Sequence, residues 1–405
     1  MADLHLDSTA SGEAVQLDEP RTGTPPALAE QTLPEPQAPH AGPAEPRTEP
    51  STEPPAEPPT QPRTQLPTEP PSPRATAQTL LTHHPVTDGH SGLPRALHQL
   101  SWYDLELGES SLRTDIPRLR MGGVGAMFWS LALPEEHRGG RALPTTLTLV
   151  DLATRVIDAN RESLRLARTP SDAADARAYG RIACLLGPAE AVSLADSLAT
   201  LRALHALGVR SLALYGTHWA GDQGLSRFGE EVVRECNRLG ILLDLSGSSP
   251  RTAERALAVS KAPVVFSRSG AATLTPHPAN LTDETLAALR THKGLCMVPC
   301  AGARTGPALT DVADHLDHVR EVAGPACVAL SGAHDTEEQP AEGVEDTSRY
   351  PDLIAELLRR GWPEPDLALL TWGNAQRILR DTDFTARAAQ QRRPPSTATV
   401  ERLDG

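Results

Sequence analysis

The sequence predicts an α/β protein whose folded part is a (β/α)8 barrel, and three observations carry that prediction. Eight short apolar runs recur along the chain, most of the gaps between them show helical periodicity, and no glycine-rich phosphate loop follows the first run. Strands separated by helices pair in parallel, and eight strand–helix units are the number that closes a barrel. An open doubly wound sheet, the alternative, calls for G-x-G-x-x-G or G-x-x-x-x-G-K-[ST] after its first strand. Neither occurs.

The strands are expected at Val86–His90, Val124–Leu131, Ile182–Leu186, Ser211–Tyr215, Ile241–Leu245, Pro263–Ser267, Leu295–Val298 and Val328–Ser331. Helical spacing of apolar residues runs from Leu147 to Leu166, Ala195 to Leu207, Phe228 to Leu239, Thr252 to Ser260, Thr282 to Thr291 and Val312 to Val322. Ser226, Ser249 and Thr282 stand where N-caps are needed. Helices at Asp352–Arg360 and Trp372–Arg380 are expected to pack outside the barrel.

Composition divides the chain into three parts. Residues 1–76 form a Pro/Glu/Thr-rich tail with imperfect repeats such as Glu49-Pro50-Ser51-Thr52-Glu53-Pro54-Pro55; up to residue 75 it holds 18 of the 38 prolines. The same stretch has 12 acidic residues against 4 arginines, so it carries −8 of the formal −14. Such a segment buries too little apolar surface to offset chain entropy and is expected to be disordered. Residues 77–386 are expected to build the barrel, and residues 387–405 a loose C-terminal extension.

Charge and cysteine content narrow the functional classes. An acidic chain with no basic tract is a poor nucleic-acid binder, and no apolar run approaches the ~18 residues of a membrane span. The N-terminus lacks the basic start and apolar stretch of a secretory signal. Five scattered cysteines (Cys184, Cys236, Cys296, Cys300, Cys327) read as reduced thiols, so a cytoplasmic location is expected.

In a barrel of this kind reactive groups project from the C-terminal strand ends. Those ends carry Asp88-Gly89-His90-Ser91-Gly92, Gly187-Pro188-Ala189-Glu190, Gly216-Thr217-His218-Trp219, Ser246-Gly247-Ser248, Ser267-Arg268-Ser269 and Gly332-Ala333-His334-Asp335. From about Thr79 to Gly405 the chain resembles the membrane (renal) dipeptidases, closest to their actinobacterial members. The matching stretches include His84-Pro85-Val86-Thr87-Asp88-Gly89-His90, Gly224-Leu225-Ser226-Arg227-Phe228-Gly229, Val312-Ala313-Asp314-His315-Leu316-Asp317-His318 and Thr371-Trp372-Gly373-Asn374-Ala375. The resemblance implies a TIM barrel of the metallo-dependent hydrolase type, two zinc ions, dipeptide hydrolysis and a homodimer.

The catalytic positions depart from that pattern. Of the family's His-x-Asp ligands, His90 stands but Gly92 replaces the aspartate. The bridging glutamate falls at Ala189, the substrate-contacting histidine at Gly216, and the second zinc's histidines at Gly247 and Arg268. The carboxylate-gripping arginine falls at Ala279 and a further aspartate at Ala333. Zinc needs about three or four N, O or S donors, and glycine and alanine side chains supply none. A guanidinium beside a dication is repulsive. No cofactor is therefore expected, and His90 remains only as a remnant ligand.

The candidates left for catalysis or binding are His90, Glu190, His218, Arg268 and Asp335. Glu190 lies one residue past the bridging position, which on a regular strand points it to the other face. Arg268 is expected to pair with Glu190 or Asp335, or to bind an anion. Asp244 reads as a buried, hydrogen-bonded acid, Cys296 and Cys300 as core thiols, and Asp314-His315-x-Asp317-His318 as capping and polar helix face. The leading expectation is a pseudoenzyme acting as a binding or assembly partner for a peptide-like or anionic ligand, a second copy or a paralogue. The alternatives are repurposed chemistry at the barrel mouth and residual peptidase activity.

Overall fold

The computed structural model describes residues 72–108 and 111–405. Most of the expected tail, residues 1–71, lies outside the described residues. Its proposed boundary at 76 shifts, because a helix already spans Pro73–His83, capped by Ser72, with Ala77, Leu80 and Leu81 buried.

Eight parallel strands follow one another around the barrel: β1 Val86–Ser91, β2 Val124–Leu131, β3 Ile182–Glu190, β4 Ser211–Ala213, β5 Leu242–Asp244, β6 Val264–Phe266, β7 Leu295–Pro299 and β8 Val328–Ser331. The last strand returns to the first. Ala333 N–H donates to His90 O at 2.9 Å, and Gly92 N–H donates to His334 O at 2.8 Å. Side chains alternate along each strand, so Phe128, Leu185, Val265 and Met297 share one apolar cluster. Their neighbours Trp129, Cys184, Val264 and Cys296 belong to a second, larger cluster shared with the helices.

The β2–β3 connection differs from expectation. The helix there is Ala142–Ala159, and Leu164–Leu166 is not its continuation but a short strand paired in parallel with Ile182–Cys184. Asn160 ends the helix, its N–H shared between Val156 O and Ile157 O. A further helix, Pro170–Ala178, opens on a capping box in which Thr169 and Asp172 each accept from the other's backbone N–H.

The C-terminal extension is also not loose where it begins. The last long helix runs Asn374–Arg392, and the chain then doubles back along the helix Arg227–Leu239. Arg393 pairs with Glu231, Ser396 O accepts from Arg202 Nη1 at 3.0 Å, and Asp404 Oδ1 accepts from Phe228 N–H at 3.1 Å. Among the described residues, no helix is long and apolar enough to cross a membrane.

Candidate functional site

The C-terminal ends of β1, β3 and β6 and the loop after β8 surround a cavity of about 580 Å³, lined by His90, Glu190, Arg268 and Asp335 among others. The fifth candidate, His218, is exposed on the loop after β4 and does not line it.

Glu190 reaches the cavity through an irregularity in the sheet. Trp129 and Leu131 on β2 pair with Leu186 and Ala189 on β3, so β3 holds one extra residue there. A bulge of this kind reverses the alternation of side chains beyond it. Ala189 consequently joins the cluster shared with the helices, and Glu190 turns to the mouth. The expectation that Glu190 points away is thereby corrected. Its carboxylate accepts from Leu133 N–H at 3.0 Å and from Arg138 Nε at 2.9 Å. That bond raises the Arg138 guanidinium further above its usual range. Tyr215 lies beneath the same arginine, 5.9 Å from ring centroid to Cζ, and burial, reinforced by the Glu190 charge, keeps its phenol protonated.

Arg268 pairs with neither expected acid. Its Nη1 stands 3.8 Å from Glu338 Oε1, and its backbone N–H donates to Ser246 Oγ at 3.0 Å. Glu338 is bound more closely by Arg304, whose Nε lies 2.7 Å from Oε2. Asp335 is committed elsewhere, accepting from Arg113 N–H at 2.7 Å, and burial raises its carboxyl above the usual range.

His90 is 1% exposed, and neither ring nitrogen has a hydrogen-bond partner among the described residues. Burial, then the charges of Arg268 and Arg304, hold it well below the ordinary histidine range, so the ring is neutral. Below it Asp88 is fixed in place. Oδ1 accepts from His90 N–H and Gly332 N–H, Oδ2 from Tyr350 OH at 2.7 Å, and burial raises its carboxyl.

The donor set does not fit a zinc pair. Among the described residues no three His, Cys, Asp or Glu side chains converge as ligands could. A Cβ built on Gly92 falls 2.1 Å from Asp335 O, so the loop after β8 fills the space a ligand at 92 needs. Gly247 has φ +82°, and a Cβ there meets the Tyr215 ring at 3.5 Å.

The remaining clusters are structural. Asp244 accepts from Ser246 N–H, Ser267 N–H and Ser267 Oγ, tying β5 to β6. Cys296 and Cys300 are buried thiols that burial pushes up. Asp314 and Asp317 bind Arg360, and His318 binds Asp283 at 2.8 Å. His315 corrects the polar-face expectation: it is buried, its Nδ1 accepts from Ala271 N–H at 2.9 Å, and Nε2 meets Thr275 Oγ1.

Sequence reasoning missed Arg138, Tyr215, Arg304 and Glu338. Arg138, Tyr215 and Glu338 sit on loops beyond strand ends and Arg304 on the one-turn helix Gly302–Thr305, where no periodicity marks them. Their only signal is position after a barrel strand.

Comparison with known proteins places this geometry. The model of the membrane dipeptidase family (peptidase family M19) matches residues 74–393. Dipeptidase 3 of Mus musculus is 36% identical over 338 residues, covering 77% of this chain and 67% of the mouse protein. A metallo peptidase from Rhodobacter sphaeroides, solved with a phosphinate mimic of the dipeptide L-Ala-D-Ala, superposes with TM-score 0.68 at 25% identity, over 74% of this chain and 99% of that one. The metallo peptidase dipeptidase AC gives TM-score 0.67 at 26% identity, over 74% and 98%. By the extent of these matches the chain belongs to the membrane dipeptidase family.

Proposed function

We propose that this family member does not hydrolyse dipeptides through zinc and that its barrel mouth serves as a binding site. One observation carries the reading. Around His90, which alone remains of the matched zinc-ligand positions, stand a glycine with no room for a side chain and a guanidinium. A hydrolytic zinc needs about three protein donors and an open position for water. One neutral imidazole beside Arg268 does not provide that set.

The polar lining supports binding. Arginines and carboxylates from different loops converge on one cavity, the arrangement that fixes the orientation of a small polar ligand.

The experiment is elemental analysis of the purified chain, together with turnover of a dipeptide panel in added zinc. The expected result is less than stoichiometric zinc and no turnover above background. Two zincs per chain with turnover would overturn the reading.

A further inference from the structure

Two guanidiniums converge on a single carboxylate beside His90. Arg304 takes Glu338 in bidentate fashion, Nε donating to Oε2 at 2.7 Å and Nη2 to Oε1. Arg268 is left at 3.8 Å from the same acid, and its Nε is buried with no hydrogen-bond partner among the described residues. The cluster therefore carries one positive charge in excess.

Of the neighbouring acids, Glu190 and Glu135 share Arg138, and Glu337 is held by Arg95 at 2.5 Å. Asp335 accepts from the neutral Arg113 N–H, and burial raises its carboxyl. His90 lines the same cavity with both ring nitrogens unpartnered among the described residues. A neutral imidazole has one N–H to donate, and a buried donor left without an acceptor is destabilising.

We propose that the barrel mouth binds a small monocarboxylate, whose oxygens pair with the Arg268 guanidinium and accept the His90 N–H. The inference rests on the metal-free reading above and names the ligand class for it. A planar carboxylate matches the guanidinium fork, and its single negative charge matches the one positive charge that the Arg268–Arg304–Glu338 group leaves unbalanced. A dianion such as phosphate would bring a second charge against Glu338.

Calorimetric titration of the full chain tests this with four probes. N-acetylalanine represents a peptide end, propionate a free acid, N-acetylalaninamide the same shape without charge, and inorganic phosphate the dianion. At least one carboxylate is expected to bind about tenfold or more tightly than the amide, a gap of about 1.4 kcal/mol. The preference between the two carboxylates identifies the source of the group. Arg268→Gln should weaken that binding about tenfold or more, while Glu338→Gln should tighten it by releasing both guanidiniums.

Equal binding of acid and amide, tighter binding of phosphate, unchanged affinity in Arg268→Gln or weaker affinity in a folded Glu338→Gln would each overturn the proposal. Zinc content keeps the two readings apart. A zinc-free chain that ignores both carboxylates sinks this inference alone, whereas a zinc-loaded, active chain sinks the reading beneath it.

Discussion

Glu190 Oε2 accepts a hydrogen bond from Arg138 Nε at 2.9 Å, joining the end of β3 to the loop after β2 across the barrel mouth. The carboxylate is almost completely buried, and the backbone of Leu133 holds its other oxygen. An ion pair thus organises the wall of a site that in sequence shows only one isolated acid.

Removing the arginine should therefore cost stability. Arg138→Met leaves a buried carboxylate with a backbone N–H as its main remaining partner, and a loss of about 1–3 kcal/mol is expected in chemical denaturation. Arg155→Met, which breaks the exposed pair with Asp151, should cost under about 1 kcal/mol. Equal effects of the two would argue against a buried role for Glu190.

Restoring an acid at position 92 should not restore metal. Asp335 O occupies the place of the new Cβ, so Gly92→Asp must displace the loop after β8. Overpacking of this kind costs about 1–3 kcal/mol. The variant is expected to melt earlier than the parent and to bind no stoichiometric zinc. Unchanged melting with zinc bound would contradict the geometry.

Acid should weaken the fold through His315. Burial lowers its folded value to about 4, below the ordinary value of 6.5, and its neutral Nδ1 accepts from Ala271. Between these values the unfolded chain binds more protons than the folded one, so stability falls as pH drops from 6.5 toward 4. His205, also lowered to about 4, acts in the same direction. Melting temperature measured against pH should show a shallower acid slope in His315→Gln than in the parent.

The C-terminal residues should contribute to stability. Asp404 accepts from Phe228 N–H at 3.1 Å and from Ser226 Oγ at 2.5 Å, adding a carboxylate to the N-terminus of the helix Arg227–Leu239. Asp404→Ala is expected to lower stability by about 0.5–2 kcal/mol, as loss of a helix cap does. An unchanged denaturation midpoint would show the segment to be passive.

The barrel was legible because its strands are apolar in both directions. Inner and outer faces are both buried, so each strand reads as a short continuous run, and all eight lie within a few residues of their expected places. Helix starts were legible where a side chain does the capping. Ser226, Ser249 and Thr282 each accept from the N–H three residues ahead. The strand at Leu164–Leu166 was not, because three residues carry no period that separates a strand from the end of a helix.

The site divides along the same line. Donor atoms are a property of residue type, so the expectation that the side chains at Gly92, Ala189 and Gly247 hold no metal needs no coordinates. Which charged groups meet depends on loop paths and on strand register, and neither is encoded locally. One inserted residue in β3 turns Glu190 inward, and the loop after β8 brings Glu338 to Arg304 and Arg268.

The amino-acid sequence by itself determined the barrel and which strand ends lack a donor side chain, since both follow from residue type and short-range pattern. Only the tertiary structure decided that Arg138 meets Glu190 and that Arg268 is left in excess beside His90, because those partners lie far apart in the chain and a single-residue shift in register would separate them.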